Sequence, residues 1–337
     1  MTAYDMSFED QLQRALDSKT KPKGSLGRVE DSAAQIARIQ NTLNPRVDRC
    51  SLTIFAGDHG MAKAGVSAFP QSVTRQMVLN FLQGGAAANV FARQLDVTLQ
   101  VVDAGVAGPP VGSPNLIDRR LGPGTDNAIQ GPAMSQSQLE KALELGHLLG
   151  ANEPFDAVCF GEMGIGNSSS ASLIAAKVLG LPVRDLIGPG TGLNEQGLAH
   201  KNELLGVAAA RTGRQLDITT ALQEYGGFEI AMMAGAMTGA AEQHRVVIVD
   251  GFIATVAALC ASKLQPLIAQ NMIYAHRSAE PGHGIILKAL DATPLLDLDM
   301  RLGEGTGALL AWPLIKTAAA MLSDMTSFDD AGVSGPT

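Results

Sequence analysis

Up to residue 45 the apolar positions of this chain recur at helical spacing, and from residue 50 onward short apolar runs alternate with alanine-rich helical patterns. Phe8, Leu12 and Leu16 mark one helix, opened by the capping pair Ser7 and Asp10. Val29, Ala33, Ile36, Ile39 and Leu43 mark a second helix, which the Asn44-Pro45 pair should end. The later unit is a β-branched run, then a glycine-rich turn, then a helix, and it predicts parallel strands with crossover helices. Strands are expected over residues 51–56, 98–103, 157–160, 246–250 and 272–275, with a weaker one at 183–187. Five or six such strands make a doubly wound α/β sheet with helices on both faces. Ser137 and Glu140 read as a capping box for a helix carrying Leu139, Ala142, Leu143 and Leu149, with Gly150 as its C-terminal cap. Residues 307–321 are apolar almost all round and contain Pro313, which predicts a buried helix kinked or restarted near Trp312. The tail, residues 329–337, is expected to fray.

Composition narrows the class of protein. Of the 337 residues, 46% are hydrophobic and 17% charged, far from the polar composition of a disordered chain. A net charge of −8 argues against a general nucleic-acid binder, so an anionic ligand has to be held locally. No run approaches the roughly 18 unbroken apolar residues of a membrane span, and the first ten residues are acidic where a signal peptide is basic and then apolar. A cytoplasmic protein is the expectation. Cys50, Cys159 and Cys260 sit beside or inside apolar runs without ligand spacing and read as buried thiols.

In an open parallel sheet ligands bind beyond the carboxyl ends of the strands, so the turns after strands are where chemistry is sought. The turn 161–167 (GEMGIGN) runs into a helix, where free N–H groups and the positive end of the dipole would receive a phosphate. Its G-x-x-G-x-G spacing matches neither the dinucleotide fingerprint nor the P-loop, and an ordinary strand-to-helix turn has the same look. Glu304 stands between Gly303 and Gly305, and reads either as a pocket carboxylate or as an exposed turn glutamate. Glu162 has the same two readings and could simply cap the following helix. His59 lacks a second ligand at metal spacing and reads as a hydrogen-bonded structural histidine, and His276 and His283 are too far apart for a zinc site. Lys19, Lys21 and Lys23 read as a solvated loop or as a draw for an anion.

Taken together, several stretches become specific. AGDHG followed by VSAFPQSVTRQMV (within residues 56–78), GEMGIGNSSSAS (161–172), GPGTGL (188–193), EYGGFEIAMMAGAM (224–237), VIVDGF (247–252), HRSAE (276–280) and RLGEGTGA (301–308) occur in order, with KPKGSLGRVE (21–30) before them. Over nearly its full length the chain resembles the nicotinate-nucleotide:dimethylbenzimidazole phosphoribosyltransferases. The resemblance implies a homodimer with a large Rossmann-like domain, residues 46–300, and a small helical domain built from both chain ends, residues 1–45 and 301–337. It implies transfer of the phosphoribosyl group of nicotinate mononucleotide to dimethylbenzimidazole in cobalamin assembly, with no metal or organic cofactor. Carried over position by position, it puts the catalytic base on Glu304, a supporting acid on Glu162, and phosphate contacts on Gly164, Gly190, Lys201 and Ser278. The acceptor pocket falls on Phe69, Met77 and Leu302, beside Glu304. Some relatives carry polar residues at the positions of Phe69 and Met77, which leaves the acceptor open among dimethylbenzimidazole, other benzimidazoles and adenine.

Two other readings have distinct signatures. An NAD-dependent oxidoreductase would carry G-x-G-x-x-G after the first strand, where this chain has AGDHG. A phosphate-sugar binding protein that had lost its chemistry would lack the glutamate at position 304.

Overall fold

The computed structural model describes residues 6–190 and 192–334. The chain begins with α1 (Phe8–Ser18) and α2 (Arg28–Gln40), then enters β1 (Cys50–Gly57), α3 (Ser72–Gln83), α4 (Ala87–Gln94), β2 (Thr98–Gly105) and β3 (Leu116–Asp118). It continues through α5 (Gln136–Ala151), β4 (Ala157–Met163), α6 (Asn167–Leu179), α7 (Glu195–Ala210), α8 (Ile218–Tyr225), α9 (Phe228–Glu242) and β5 (Val246–Val249). The last part holds α10 (Phe252–Leu264), β6 (Met272–Tyr274), β7 (His276–Arg277), α11 (His283–Ala289), β8 (Leu296–Asp297), α12 (Thr306–Asp324) and α13 (Phe328–Ala331).

Six strands form one sheet in the order β3-β2-β1-β4-β5-β6, every neighbouring pair parallel. This is the doubly wound order of Rossmann folds, which reverses between β1 and β4 and opens a crevice at their carboxyl ends. Strand alternation sends Phe55, Val158 and Phe160 to one face, where they pack with α5, α6, α9 and α10. Leu52, Ile54 and Cys159 point to the other face, and there share one apolar cluster with α1, α2, α4 and α12. The two chain ends meet in that layer: Lys19 bridges Ser327, and its Nζ donates to the Met325 carbonyl at 2.6 Å.

Several local expectations are corrected. Residues 183–187 form no strand; Val183–Leu186 is a single 3-10 turn launched by Pro182, with its apolar side chains pressed into the core. Strand β3 escaped notice because it is three residues long with one buried side chain. α2 stops at Gln40, where Asn41 takes a left-handed conformation, before the Asn44-Pro45 pair is reached. The capping box of α5 is Ser135 with Gln138, two residues earlier than Ser137 with Glu140; the local sequence offers both registers, and the earlier one starts the helix.

Gly150 is not a cap but a contact inside α5. A Cβ there would lie 2.0 Å from the Ala236 carbonyl oxygen, and one at Gly146 would lie 1.9 Å from that of Met232. Gly235 and Gly239 of α9 answer from the other side, so these helices touch backbone to backbone through reciprocal G-x-x-x-G spacings. α12 runs unbroken through Pro313, because buried Ala311, Trp312 and Ile315 on either side outweigh the hydrogen bond the proline removes. Residues 329–331 belong to the short capped helix α13 and are not frayed; residues 335–337 of the predicted tail lie outside the described residues.

The three cysteines are buried and free, with Cys50 and Cys159 side by side on β1 and β4, their sulfurs 3.5 Å apart. The lysines of the first basic turn are mostly engaged: Lys21 is buried against Glu30 at 2.9 Å, and Lys23 pairs with Asp17 at 3.1 Å.

Candidate active site

A cavity of about 460 Å³ opens beyond the carboxyl ends of β4 and β5. Its two walls differ in chemistry, and carboxylates stand between them.

The first wall gathers glycine turns, a helix N-terminus and a buried lysine, groups that suit an anion. β4 ends in Met163, and Gly164 passes so close to β1 that a Cβ would lie 2.2 Å from the Gly57 carbonyl oxygen. α6 then starts at Asn167 behind Gly166, which carries φ +98° and no capping side chain, so the first-turn N–H groups lack a side-chain cap. Lys201 reaches in from α7, almost wholly buried. Its Nζ donates to Ser168 Oγ at 3.2 Å and to the Gly188 carbonyl at 3.1 Å, just behind Gly190. Burial pushes its pKa down to about 8, opposed by the Glu280 carboxylate. Thr191, in the same turn, lies outside the described residues. Arg301 donates to the Gly190 carbonyl at 2.9 Å. Ser278 is held by its N–H, which donates to His283 Nδ1 at 2.8 Å; the other ring nitrogen, Nε2, therefore carries the proton and donates to Thr255 Oγ1 at 2.9 Å. Burial, with His276 and Arg277 nearby, drives the His283 pKa down to about 3, so that ring is neutral.

The second wall is an apolar slot of Phe69, Val73, Met77, Met163 and Leu302. Phe69 and Leu302 remain 49% and 57% exposed, so their apolar surfaces have no full partner within the chain.

Between these walls stand carboxylates. Glu304 occupies a left-handed turn in which Gly303, Glu304 and Gly305 have φ of +88°, +62° and +79°. The turn seats on Gly161 of β4, where any Cβ would lie 2.5 Å from the Glu304 carbonyl carbon. One carboxylate oxygen of Glu304, Oε2, is buried with no hydrogen-bond partner. Burial raises its pKa, the backbone N–H of Ala88 in α4 lowers it, and the Asp250 charge raises it again; the net direction is upward. Glu162, the next-to-last residue of β4, is pushed up to about 8, first by burial and then by Asp250, against the hydrogen bond it accepts from Asn167 Nδ2. Burial thus favours its protonated form, which can donate a hydrogen bond.

Of the residues singled out from the sequence, Glu304, Glu162, Gly164, Gly190, Ser278, Phe69, Met77 and Leu302 all line this one cavity. Lys201 stands directly behind it. His59 is a structural histidine, buried and paired through Nε2 with Glu229 Oε1 at 2.7 Å. Among the described residues no group of three or more His, Cys, Asp or Glu is placed to hold a metal ion. Asn167 and Glu280, which lie in turns the sequence marked for chemistry but were given no role, and Asp250, which was not singled out, also line the cavity. Asp250 had left a signal, an acid closing the apolar run VIVD at a strand's carboxyl end.

A doubly wound sheet whose crevice places glycine turns with a buried lysine and an apolar slot on either side of a buried carboxylate defines an α/β enzyme site suited to an anionic ligand beside an aromatic one. The comparisons with known proteins agree with that class. A family model described as Phosphoribosyltransferase matches residues 1–333. The nicotinate-nucleotide–dimethylbenzimidazole phosphoribosyltransferase of Aromatoleum aromaticum is 52% identical over 96% of this chain and 94% of its own. That of Dechloromonas aromatica is 50% identical over 98% and 97%. Among solved structures, the enzyme of the same name from Thermus thermophilus superposes with a TM-score of 0.92 at 40% identity, covering 98% of this chain and 99% of that one. A structure of CobT from the same organism gives 0.94 at 41%, with the same coverage of 98% and 99%. The chain belongs to the nicotinate-nucleotide–dimethylbenzimidazole phosphoribosyltransferase family. The oxidoreductase alternative finds no support, since these relatives are phosphoribosyltransferases by name.

Proposed function

We propose that this protein transfers the phosphoribosyl group of nicotinate mononucleotide to dimethylbenzimidazole or a related base, releasing nicotinate, with Glu304 as the base. The observation that carries the reading is the unpartnered, buried Oε2 of Glu304 in a cavity with an anion cradle on one side and an apolar slot on the other. The pyridinium nitrogen of the donor is already a good leaving group, so its bond to the ribose carbon can break without an acid, the electron pair returning to the ring. One azole nitrogen forms the new bond to that carbon. The other loses its proton to Glu304, whose raised pKa suits it to the task better than that of an exposed glutamate. Attack opposite the departing nicotinate inverts the centre and gives the α-linked product.

In this reading the 5′-phosphate sits at Gly164, Gly190, Lys201 and Ser278. The acceptor ring lies between Phe69, Met77 and Leu302, whose exposed apolar surface it would cover. Glu162 in its protonated form supports the donor by hydrogen bonding. The enzyme works as a homodimer, as the family resemblance implies. The test is Glu304→Gln: turnover should fall by about 10²–10⁴ while nicotinate mononucleotide still binds, as expected when a general base is removed. Turnover equal to wild type would remove Glu304 from the mechanism.

A further inference from the structure

Glu304 is a non-glycine residue at φ +62° between two glycines that also have positive φ. Such a conformation is strained and persists only where the surroundings over-determine it. Directly after the turn comes the first turn of α12, whose N–H groups lack intrahelical partners, and whose N-cap, Gly305, has no side chain to offer. Both needs are met from another strand. Asp250, at the carboxyl end of β5 and 3% exposed, accepts the Gly305 N–H on Oδ2 at 3.1 Å and the Ala308 N–H on Oδ1 at 2.9 Å. Its negative charge also lies at the positive end of the α12 dipole. His276 Nε2 stands 3.7 Å from the same Oδ1, and its ring is wedged against the helix so closely that a Cβ on Gly307 would lie 2.0 Å from Cδ2.

We infer that Asp250 is a positioning residue for the transfer reaction: by gripping the Gly305 and Ala308 N–H groups it fixes the strained turn that presents Glu304. This rests on the reading of Glu304 as the base. Asp250 lines the cavity itself; its oxygens accept the backbone N–H groups of the turn and helix that carry Glu304, and its charge also raises the Glu304 pKa, so both effects reach the reaction through Glu304.

The test is a double-mutant cycle. Asp250→Asn keeps one acceptor oxygen and sets an NH₂ against a backbone donor. It should lower kcat by ~10–100-fold, the cost of a small misplacement of a catalytic group, with the nicotinate mononucleotide Kd within about three-fold of wild type. In a Glu304→Gln background the same change should lower kcat by less than about three-fold, because the group it positions is gone. Losses that multiply in the double variant overturn the positioning role alone. An unimpaired Glu304→Gln enzyme overturns the base assignment and this inference together. Should Asp250→Asn fail to fold, amide exchange on the wild-type protein decides: the Gly305 and Ala308 amides should be protected by ~100-fold or more, and exchange at free-peptide rates overturns the inference.

Discussion

Gly161→Ala moves the proposed base without touching it. Gly161 lies in β4, paired with Ile54 of β1, and a methyl group there would meet the Glu304 carbonyl carbon at 2.5 Å and the Gly305 nitrogen at 2.7 Å. Ordinary carbon contacts begin near ~3.5 Å, so the turn has to lift by roughly 1 Å. It cannot do so by a side-chain rotation, because the obstructing atoms are backbone, and Asp250 and α12 tether it from beyond. A displacement of that size at a catalytic group costs about 10²-fold in rate. Overpacking should also lower stability by about 1–3 kcal/mol. Release of nicotinate followed by chromatography gives kcat, and calorimetry gives nicotinate mononucleotide affinity. The expected result is kcat down ~100-fold with affinity nearly unchanged. Gly206→Ala in α7, where a Cβ meets nothing within 4 Å, is the control and should be neutral or slightly stabilising. A Gly161→Ala enzyme within about two-fold of wild type in kcat would refute the idea that Glu304 depends on its seat.

Two further outcomes follow from the charges. Lys201 loses its proton near pH 8 in the free protein, so kcat/KM for nicotinate mononucleotide should fall as pH rises through about 8, and Lys201→Met should abolish that limb; a flat profile in wild type would count against Lys201 as a phosphate ligand. Glu162 binds its proton more tightly folded than unfolded, so wild-type stability should decline as pH rises from about 4.5 to about 8, and Glu162→Gln should escape that decline, gaining at least ~1.4 kcal/mol over wild type at pH 9 in denaturant melts. Parallel pH profiles for the two proteins would show Glu162 to be ionised without penalty.

Much of this was legible before any coordinates because strands and the turns that end them are local features. A β-branched run followed by glycines announced β1, β4 and β5, and the turns 161–167 and 301–307 pointed to the crevice those strands open. What stayed hidden depends on contacts distant in sequence. Nothing near Asp250 says that its carboxylate will cap a helix that begins 56 residues later. Gly150 looks like a helix cap until α9 is laid against it, and residues 183–187 look like a strand until Pro182 turns them into the core. Lys201 was marked by the resemblance, not by its surroundings in α7, which give no sign of its reach to Gly188. The resemblance alone had grouped Phe69, Met77 and Leu302 in one pocket; their own sequence context gave no reason for it, because α3 and the Glu304 turn are far apart along the chain.

The central claim, proton removal by Glu304, is tested most directly by a crystal structure of the protein with dimethylbenzimidazole and nicotinate. Base catalysis predicts the azole N–H donating to the Glu304 carboxylate at about 2.6–3.2 Å, with the ring against Phe69 and Leu302 and its other nitrogen toward the glycine cradle. A ring bound with neither nitrogen facing Glu304, or held outside the cavity, would contradict it.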